Sequence, residues 1–431
     1  MPTASPRRTR SSPAPAPPTR PAIVRPVPEP PPPRCLPPLY PYLLAVPDPR
    51  DARGVRHPLA AVLGLVCLAM LSGIHGYLPA AEWGADLEVE ERYALGFTRD
   101  TGPAASTLYE VLKPLSWEAL ETQLRAWATA VTAAVRREGP TPPARPRAQR
   151  QARRRAVRAR FAADPAGLAI DGKTLRGSWK RGAEIAHMLA VVTHGLGLTV
   201  AQAPVSRKKG ELTAIRPLLK QLVLEGLVVT VDAQFTQPDV AETILERGGD
   251  YIMRVKENQP KLLARIETLL SPEHWEPNLR RSAQTYDAGH GRIEERQLVV
   301  QALRPGELEW PGARQVFVVV SRRVCGSGAS TPSTTLFYGV TTLHAEEADA
   351  ERLLRLFRGH WTVENCAFWV RDVVFREDAS PVSTGNIVAV MASLRGAILT
   401  LLRARDPKRP ARQIRKLNAS RKEALRALGC L

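Results

Sequence analysis

The sequence predicts an α/β fold in which helices pack on a mixed β-sheet, preceded by an all-α N-terminal domain. From Gly167 onward, short runs of Val, Leu and Ile alternate with amphipathic segments, which is the pattern of strands followed by helices. Between 40 and 137, apolar residues recur every three to four positions, as from Trp117 to Val135, and this spacing predicts helices. Strand-like runs dominate 258–345, which predicts a β-rich insertion.

Composition divides the 431 residues into five regions. Residues 1–38 are mainly Pro, Arg, Ser and Ala, cannot bury enough apolar surface to offset ordering, and are expected to be disordered. Four further regions follow in order: a helical N-terminal domain at 39–137, an Arg/Pro-rich linker at 138–163, the α/β domain at 164–403 and a basic tail at 404–431. The tail carries five closely spaced cations: Lys408, Arg409, Arg412, Arg415 and Lys416.

The net charge of +19 indicates a polyanionic partner, although an Arg-, Ala- and Pro-rich composition is the simpler explanation for part of it. The five cysteines are scattered without metal-binding spacing, which favours reduced thiols in a cytosolic protein. Prolines follow the basic start, so no signal peptide is expected. The apolar run from Pro58 to Ile74 is shorter than the roughly 20 residues of a membrane span, and it predicts a buried helix.

Three carboxylates stand in contexts that suit catalysis. Asp171 ends the apolar run 168–170, Asp232 ends the run 227–231, and Glu364 lies on a helix predicted at Ala348–Val370. Two acids at strand ends and one on a helix can converge on a divalent-metal site. Phosphodiester cleavage needs an activated oxygen nucleophile and a stabilised leaving oxygen, which two hard cations about 4 Å apart can supply. In so basic a chain, the natural substrate is nucleic acid.

Helical spacing predicts which residues share a face with Glu364. Five residues at positions i, i+4, i+7, i+11 and i+14 share one helical face: Phe357, Trp361, Glu364, Phe368 and Arg371. An acid among aromatic residues on a packing face is unexpected in an ordinary core helix. The simpler alternative is that Glu364 is a buried ion-pair partner of Arg371.

The segment from Gly167 to Thr174 also matches the G-x-x-x-x-G-K-[ST] phosphate-loop pattern. A phosphate loop requires a strand before its first glycine and a flexible turn between the two glycines. Here no strand-like run precedes Gly167, and the residues between the glycines are themselves strand-like. The match is therefore interpreted as accidental, and an ATPase is not expected.

Several motifs together resemble the DDE transposases of bacterial insertion sequences, in the branch that includes the H-repeat-associated proteins. The resemblance begins with the first-aspartate motif Ala169–Ser178 and extends, in the family's order, from about residue 40 to 403. The other matching segments are Asp48–Asp51 with Gly54–Leu59, Val229–Ala233 with Thr236 and Gln237, Val255–Pro260, Gly289–Glu294 with Arg296, and His360–Asn365 followed by Trp369, Asp372, Val373, Glu377 and Asp378.

The resemblance implies a ribonuclease-H-like catalytic core with a β insertion, in which Asp171, Asp232 and Glu364 hold two Mg²⁺ or Mn²⁺ ions. It implies cut-and-paste movement of an insertion element, in which water frees a 3′-hydroxyl at each element end and that hydroxyl attacks target DNA. The implied partners are duplex DNA with terminal inverted repeats and target DNA, bound by a homodimer at paired ends. The expected location is the bacterial cytoplasm, at the nucleoid.

Basic residues near these motifs are predicted to contact DNA. They are Lys173, Arg176, Lys256, His290, Arg292, Arg296, His360 and Arg371. In related transposases a Tyr, an Arg and a Lys lie seven before, four before and seven after the catalytic Glu, where this chain has Phe357, His360 and Arg371. Two other functions remain open: an inactive or domesticated DNA-binding relic, and a metal-dependent nuclease that lacks strand transfer.

Overall fold

A mixed sheet of nine strands forms the centre of the part of the chain that the structure describes. The structure, a computed structural model, describes residues 35–137, 164, 166–178, 186–205, 210–274, 276, 278–289, 292–325 and 332–431. Most of the predicted disordered stretch and the whole predicted linker at 138–163 lie outside the described residues. Leu36 and Pro37, within that predicted stretch, are half-buried, and the Pro37 carbonyl accepts a hydrogen bond from Trp127 Nε1.

The strand order across the sheet is β3-β2-β1-β4-β5-β9-β8-β7-β6. The strands span β1 Gly167–Leu175, β2 Ala186–Thr193, β3 Thr199–Val205, β4 Val228–Val231, β5 Asp250–Val255, β6 Arg280–Gly289, β7 Arg292–Ala302, β8 Gln315–Cys325 and β9 Ser333–Thr341. Strands β1, β4 and β5 are parallel, and all other neighbours are antiparallel. The mixed α/β class is therefore confirmed. The predicted insertion extends the same sheet, because β9 pairs with β5.

The register of β1 and β4 places two of the predicted acids at the same level of the sheet. Ile170 lies opposite Val231, so Asp171 and Asp232 follow on adjacent parallel strands. Strand β1 runs without interruption through Gly172 and Thr174. This continuity agrees with the interpretation that the phosphate-loop match is accidental, because no flexible turn lies between the two glycines.

Helices precede the sheet, connect its strands and follow it. They are α1 Tyr40–Leu44, α2 Leu59–Leu71, α3 Tyr77–Ala85, α4 Val89–Ala94, α5 Ala105–Leu112, α6 Trp117–Arg137, α7 Glu211–Lys220, α8 Pro238–Glu246, α9 Pro260–Leu270, α10 Ala350–Gly359, α11 Trp369–Phe375, α12 Ile387–Arg405, α13 Pro410–Asn418 and α14 Arg421–Leu428. A π-helix, Val363–Phe368, lies between α10 and α11. All residues of α2 are buried, as predicted for the run after Pro58.

The N-terminal helices share one hydrophobic core with the C-terminal helices. Side chains of α2 and α6 pack in the same buried cluster as those of α12 and α14. The stretch at 404–431, predicted as a basic tail, contains the helices α13 and α14, and side chains of both are buried in this core. The Leu39 N–H donates to the Leu428 carbonyl at 3.1 Å, which joins the two ends of the described chain.

The helix predicted at Ala348–Val370 is broken. It ends at Gly359, and the π-helix with its wider turn replaces the regular spacing before α11. The predicted common face is therefore not kept. Phe357, Phe368 and Arg371 are buried, whereas Glu364 is exposed. The exposed carboxylate can face a ligand, and Glu364 is not the ion-pair partner of Arg371.

Two buried histidines fill the space between the sheet and α10. The Thr230 hydroxyl on β4 lies 3.0 Å from His194 Nε2 and 3.2 Å from His360 Nδ1. A Cβ added at Gly167 or at Gly359 would overlap the His194 ring. Glycine at both positions therefore lets β1 and α10 close on this histidine.

One described helix, α12, is long and apolar enough to cross a membrane. In its most apolar window, 94% of the residues are buried inside the protein. Core helices of folded domains commonly pass the same test of length and composition.

We predict that Gly359→Ala destabilises the protein by about 1–3 kcal/mol, because the new methyl group overlaps His194 in a tightly packed interior. This cost outweighs the gain of up to about 1 kcal/mol that alanine brings to a helix. Urea unfolding measures the change. In a His194→Ala background the same substitution should cost nothing or stabilise, and an equal loss in both backgrounds would contradict the steric explanation.

Candidate active site

Asp171 lies on β1 among other carboxylates. Its Oδ1 accepts a hydrogen bond from the Gly172 N–H at 2.8 Å. Burial, with smaller contributions from the negative charges of Glu364, Asp232 and Glu211, raises the pKa of Asp171 to about 7 against the opposing hydrogen bond from Gly172. The structure therefore brings the three sequence-predicted acids close enough for their charges to interact.

Asp232 follows β4 and precedes a 3₁₀ turn at Ala233–Phe235. Its carboxylate is one-third exposed and lies 2.7 Å from Arg254 Nη1. Arg254 was not predicted, because a cation on the buried strand β5 has no recognisable sequence motif of its own. Burial lowers the pKa of Arg254, and the charges of Asp232 and Glu364 oppose that effect. Arg254 thus partly neutralises the group of acids.

Glu211 is a fourth acid of the site that sequence reasoning missed. It is buried at the start of α7 and accepts a hydrogen bond from Gln234 Nε2, two residues after Asp232. A Cβ at Gly172 would overlap the Glu211 carboxylate. Glu211 therefore contacts both aspartate-bearing segments. A glycine within a strand is a recognised sign of close approach, so Gly172 was the signal that could have indicated such a neighbour.

A cavity of about 620 Å³ is lined by Arg254, the partner of Asp232, and by Asn365, which follows Glu364 in the chain. Arg254 lies in its wall with its guanidinium 4.7 Å from the centre of the Phe337 ring and 5.8 Å from that of Trp361. The insertion contributes Arg296 and Arg323 to the lining, and α10 contributes Arg358. The lining also includes Asp287 and Glu294, which pair with these three arginines, so the cavity combines ion pairs with aromatic surface.

Two predicted DNA contacts are accessible to solvent. Arg176 follows β1 with 81% of its side chain exposed and lies 3.8 Å from Asp378. Lys256 is exposed directly after β5. Arg296 is only 19% exposed and is paired with Asp287 at 2.7 Å and with Glu294. His290 lies outside the described residues, and of Arg292 only the backbone, in β7, is described.

Lys173 is not placed to bind DNA in this structure. Its side chain is 6% exposed, and its Nζ lies 2.7 Å from Asp372 and 3.3 Å from Asp378. The prediction of a phosphate contact is therefore corrected. Because β1 alternates its side chains, Lys173 points to the same face as Asp171 and joins the sheet to α11 and the 3₁₀ turn after it.

His360 and Arg371 are also unavailable to DNA. Burial lowers the pKa of His360 to about 4, so the ring is neutral at physiological pH and its Nδ1 lies beside Thr230. Arg371 is fully buried, with Nη1 donating to Gln202 Oε1 at 2.6 Å and Nη2 donating to Glu377 Oε1 at 2.7 Å. Their predicted contacts with phosphate are corrected to roles in packing.

The carboxylates are not drawn tightly together in this arrangement. Within the described ranges, no three His, Cys, Asp or Glu side chains are close enough to hold a metal ion. The donor chemistry nevertheless fits a hard divalent cation, since all the candidate ligands are carboxylate oxygens. Burial is the main cause of the raised pKa of Asp171, and the charges of three neighbouring carboxylates add to it.

Comparisons with known proteins agree with the motif resemblance. The family model described as "Transposase DDE domain" matches residues 162–402, and the model described as "DDE_Tnp_1-associated" matches 40–128. The chain is 27% identical to "Putative transposase YncI" of Escherichia coli O157:H7, covering 85% of this chain and 87% of that protein. It is 28% identical to "H repeat-associated putative transposase YhhI" of Escherichia coli K12, and this match covers 84% of this chain and 90% of that protein.

A search of solved structures found the cryo-EM structure of a piggyBac transposase synaptic complex with hairpin DNA. The TM-score is 0.42 at 11% sequence identity, and the match covers 92% of this chain and 80% of that chain.

We predict that Arg371→Met lowers the free energy of unfolding by about 3 kcal/mol, because it leaves Glu377 buried with Arg395 as its remaining cation. Arg176→Met removes an equal charge from the surface and should change stability by less than about 0.5 kcal/mol. Thermal and urea unfolding measure both. If Arg371→Met leaves stability unchanged but weakens DNA binding, the prediction from the sequence that Arg371 contacts DNA is correct after all.

Asp171 should make stability depend on pH. Its pKa of about 7 in the folded protein exceeds the ordinary 3.8, so the folded state binds the proton more tightly. The resulting stability is fully present below about pH 4 and is lost as pH rises through 7. The substituted asparagine cannot ionise. In the presence of a metal chelator, Asp171→Asn should therefore be more stable than wild type at pH 8 by about 1–3 kcal/mol.

The matched control for this titration is Asp86→Asn, at an exposed aspartate after α3. The free energy of unfolding of this variant should equal that of the wild type at each pH from 4 to 8. Equal stability of Asp171→Asn and wild type at pH 8 would show that the Asp171 carboxyl does not carry the raised pKa.

Proposed function

Since the chain belongs to the DDE transposase family, we propose that it catalyses cut-and-paste movement of an insertion element by metal-dependent strand cleavage and strand transfer. The proposed core is ribonuclease-H-like, with Asp171, Asp232 and Glu364 as the catalytic acids. The observation that supports the proposal is the register of β1 with β4, which sets Asp171 and Asp232 at one level of the sheet, with the charges of Asp232 and Glu364 acting on Asp171.

Asp171, Asp232 and Glu364 would hold Mg²⁺ or Mn²⁺, with two ions expected. Bound divalent cations would lower the pKa of an attacking water and stabilise the charge on the leaving oxygen. Asp232 now contacts Arg254, so loading would require this ion pair to loosen and the carboxylates to approach one another. The released guanidinium would then be free for a DNA phosphate, to which arginine binds with two parallel hydrogen bonds.

Other residues would orient DNA. Arg176, exposed five residues after Asp171, and Lys256, exposed directly after β5, would bind backbone phosphates. The partners proposed are duplex DNA carrying the element's terminal inverted repeats and target DNA, with a homodimer holding two paired ends. The proposed location is the bacterial cytoplasm, where the protein would meet the nucleoid.

The decisive experiment is excision and insertion of a marker flanked by the element's own ends, in cells that express wild type or a variant. Asp171→Ala, Asp232→Ala and Glu364→Ala should each reduce excision to below about one-thousandth of wild type, as expected for residues that act as one catalytic unit. Glu346→Ala, at an exposed acid before α10, should retain activity. Circular dichroism would confirm that each variant is folded.

Three outcomes distinguish the proposal from its alternatives. Triad-dependent excision with joined donor and target products supports a transposase. Cleavage without joined products indicates a nuclease that lacks strand transfer. Binding of the element ends by wild type without any cleavage indicates an inactive DNA-binding relic, and activity in any triad variant shows that the assignment of that acid is wrong.

A further inference from the structure

The helix α13 carries an unusual concentration of free positive charge. Its exposed cations and those just before it form what we call the α13 basic face: Lys408, Arg409, Arg412, Arg415 and Lys416. Within the described part of the chain, none of the five makes an ion pair. The segment 407–420 contains no acidic residue.

The neighbouring helix α14 shows that free cations are not general in this region. Arg421 there donates to the Asp86 carbonyl, lies 3.3 Å from Glu91 and stacks over Trp83. Arg426 is paired with Glu423 in the same helix. Among the described residues, Arg421 and Arg426 of α14 therefore have acidic partners and Lys422 is exposed without an ion pair, whereas none of the five cations of the α13 basic face is paired.

Helix stability does not explain the position of these cations. Arg415 and Lys416 lie in the last turn of α13, where the helix dipole favours positive charge. Lys408, Arg409 and Arg412 instead lie at its N-terminal end, where the same dipole disfavours them by about 0.3–1 kcal/mol each. The N-terminal cations thus lower the stability of the helix that carries them, which points to a ligand.

The helix is held rigidly beneath its charged face. Pro410, Ile414 and Leu417 are buried, and Ile414 packs against Gly73 at the end of α2. Gln413 Nε2 donates to the Leu402 carbonyl at 2.6 Å and to the Asp406 carbonyl at 3.0 Å. The cations are therefore presented on a fixed scaffold.

The start of α13 is also connected to the segment that carries Glu364. Arg403, buried at the end of α12, donates from Nη1 to the Pro407 carbonyl at 2.8 Å. The same guanidinium is hydrogen-bonded to Cys366, two residues after Glu364. Two contacts therefore join the basic face to the π-helix of the candidate site.

We propose that the α13 basic face binds the phosphate backbone of duplex DNA, independently of base sequence, outside the candidate active site. Charge complementarity supports this partner, because clustered unpaired arginines and lysines on one helical face match a polyanion with regularly spaced charges. The inference rests on the proposed action on DNA and adds to it a second DNA-binding surface.

The test compares two charge-matched triple variants in the full-length Asp232→Ala background, in which cleavage should not interfere. One is Arg412→Gln, Arg415→Gln and Lys416→Gln, which keeps good helix formers on α13. The control is Lys220→Gln, Lys261→Gln and Arg314→Gln, at exposed cations of the sheet-bearing half. The probe is a duplex of about 40 base pairs with arbitrary sequence, titrated at several salt concentrations.

The α13 variant should bind this duplex at least about tenfold more weakly near 0.15 M salt, with a salt dependence shallower by about three in log–log slope. The control variant should bind like its parent. Equal weakening of DNA binding in both variants would show that only net charge matters, and it would overturn the proposal. DNA affinity equal to that of the parent in the α13 variant would also overturn it.

A second test needs no variant of α13, because it measures directly which lysines the duplex protects. Lysine acetylation read by mass spectrometry should show Lys408 and Lys416 protected by the duplex, with Lys220 and Lys261 unprotected. Equal reaction with and without DNA would overturn the proposal. If the α13 variant binds DNA normally but no longer self-associates, the face is an interface between copies and the DNA assignment is wrong.

These results separate this inference from the proposed function. Loss of α13-dependent binding leaves triad-dependent excision to be measured on its own. Conversely, an excision-inactive protein can still show protection of Lys416 by duplex DNA.

Discussion

The parallel pairing of β1 with β4 is the constraint on which the candidate site depends. It sets Ile170 opposite Val231, so that Asp171 and Asp232 follow at one level of the sheet. A slip of one residue would turn one strand's side chains to the opposite face and separate the two carboxylates. Glu211 strengthens this arrangement, since it contacts Gly172 after the first aspartate and Gln234 after the second.

Positive charge in this protein serves two different purposes. Lys173 and Arg371 are buried with acidic partners and join β1, β3 and α11 around the segment that carries Glu364. Such pairs offset the cost of burying charge and are unavailable to a ligand. The cations of α13 are exposed and unpaired among the described residues, which is what a phosphate backbone requires. The net charge alone does not distinguish these two groups.

Local patterns predicted most of the framework. The hairpin of β2 and β3 follows from apolar runs around Gly195 and Gly197, both of which have positive φ. The continuity of β1 through Gly172 agrees with the strand-like residues between its glycines. Amphipathic spacing did not reveal that α2 and α6 share a core with α12 and α14, because an apolar face does not specify its partner.

The sequence by itself determined the family to which the chain belongs and indicated Asp171, Asp232 and Glu364 as candidate acids, because both depend on short motifs and their order. Only the tertiary structure decided which charged side chains face those acids. Arg254 and Glu211 lie at the site, whereas His360 and Arg371 are buried away from solvent. Spacing along a chain defines periodicity, but burial and charge pairing depend on packing between distant segments, such as the π-helix that turns Glu364 outward.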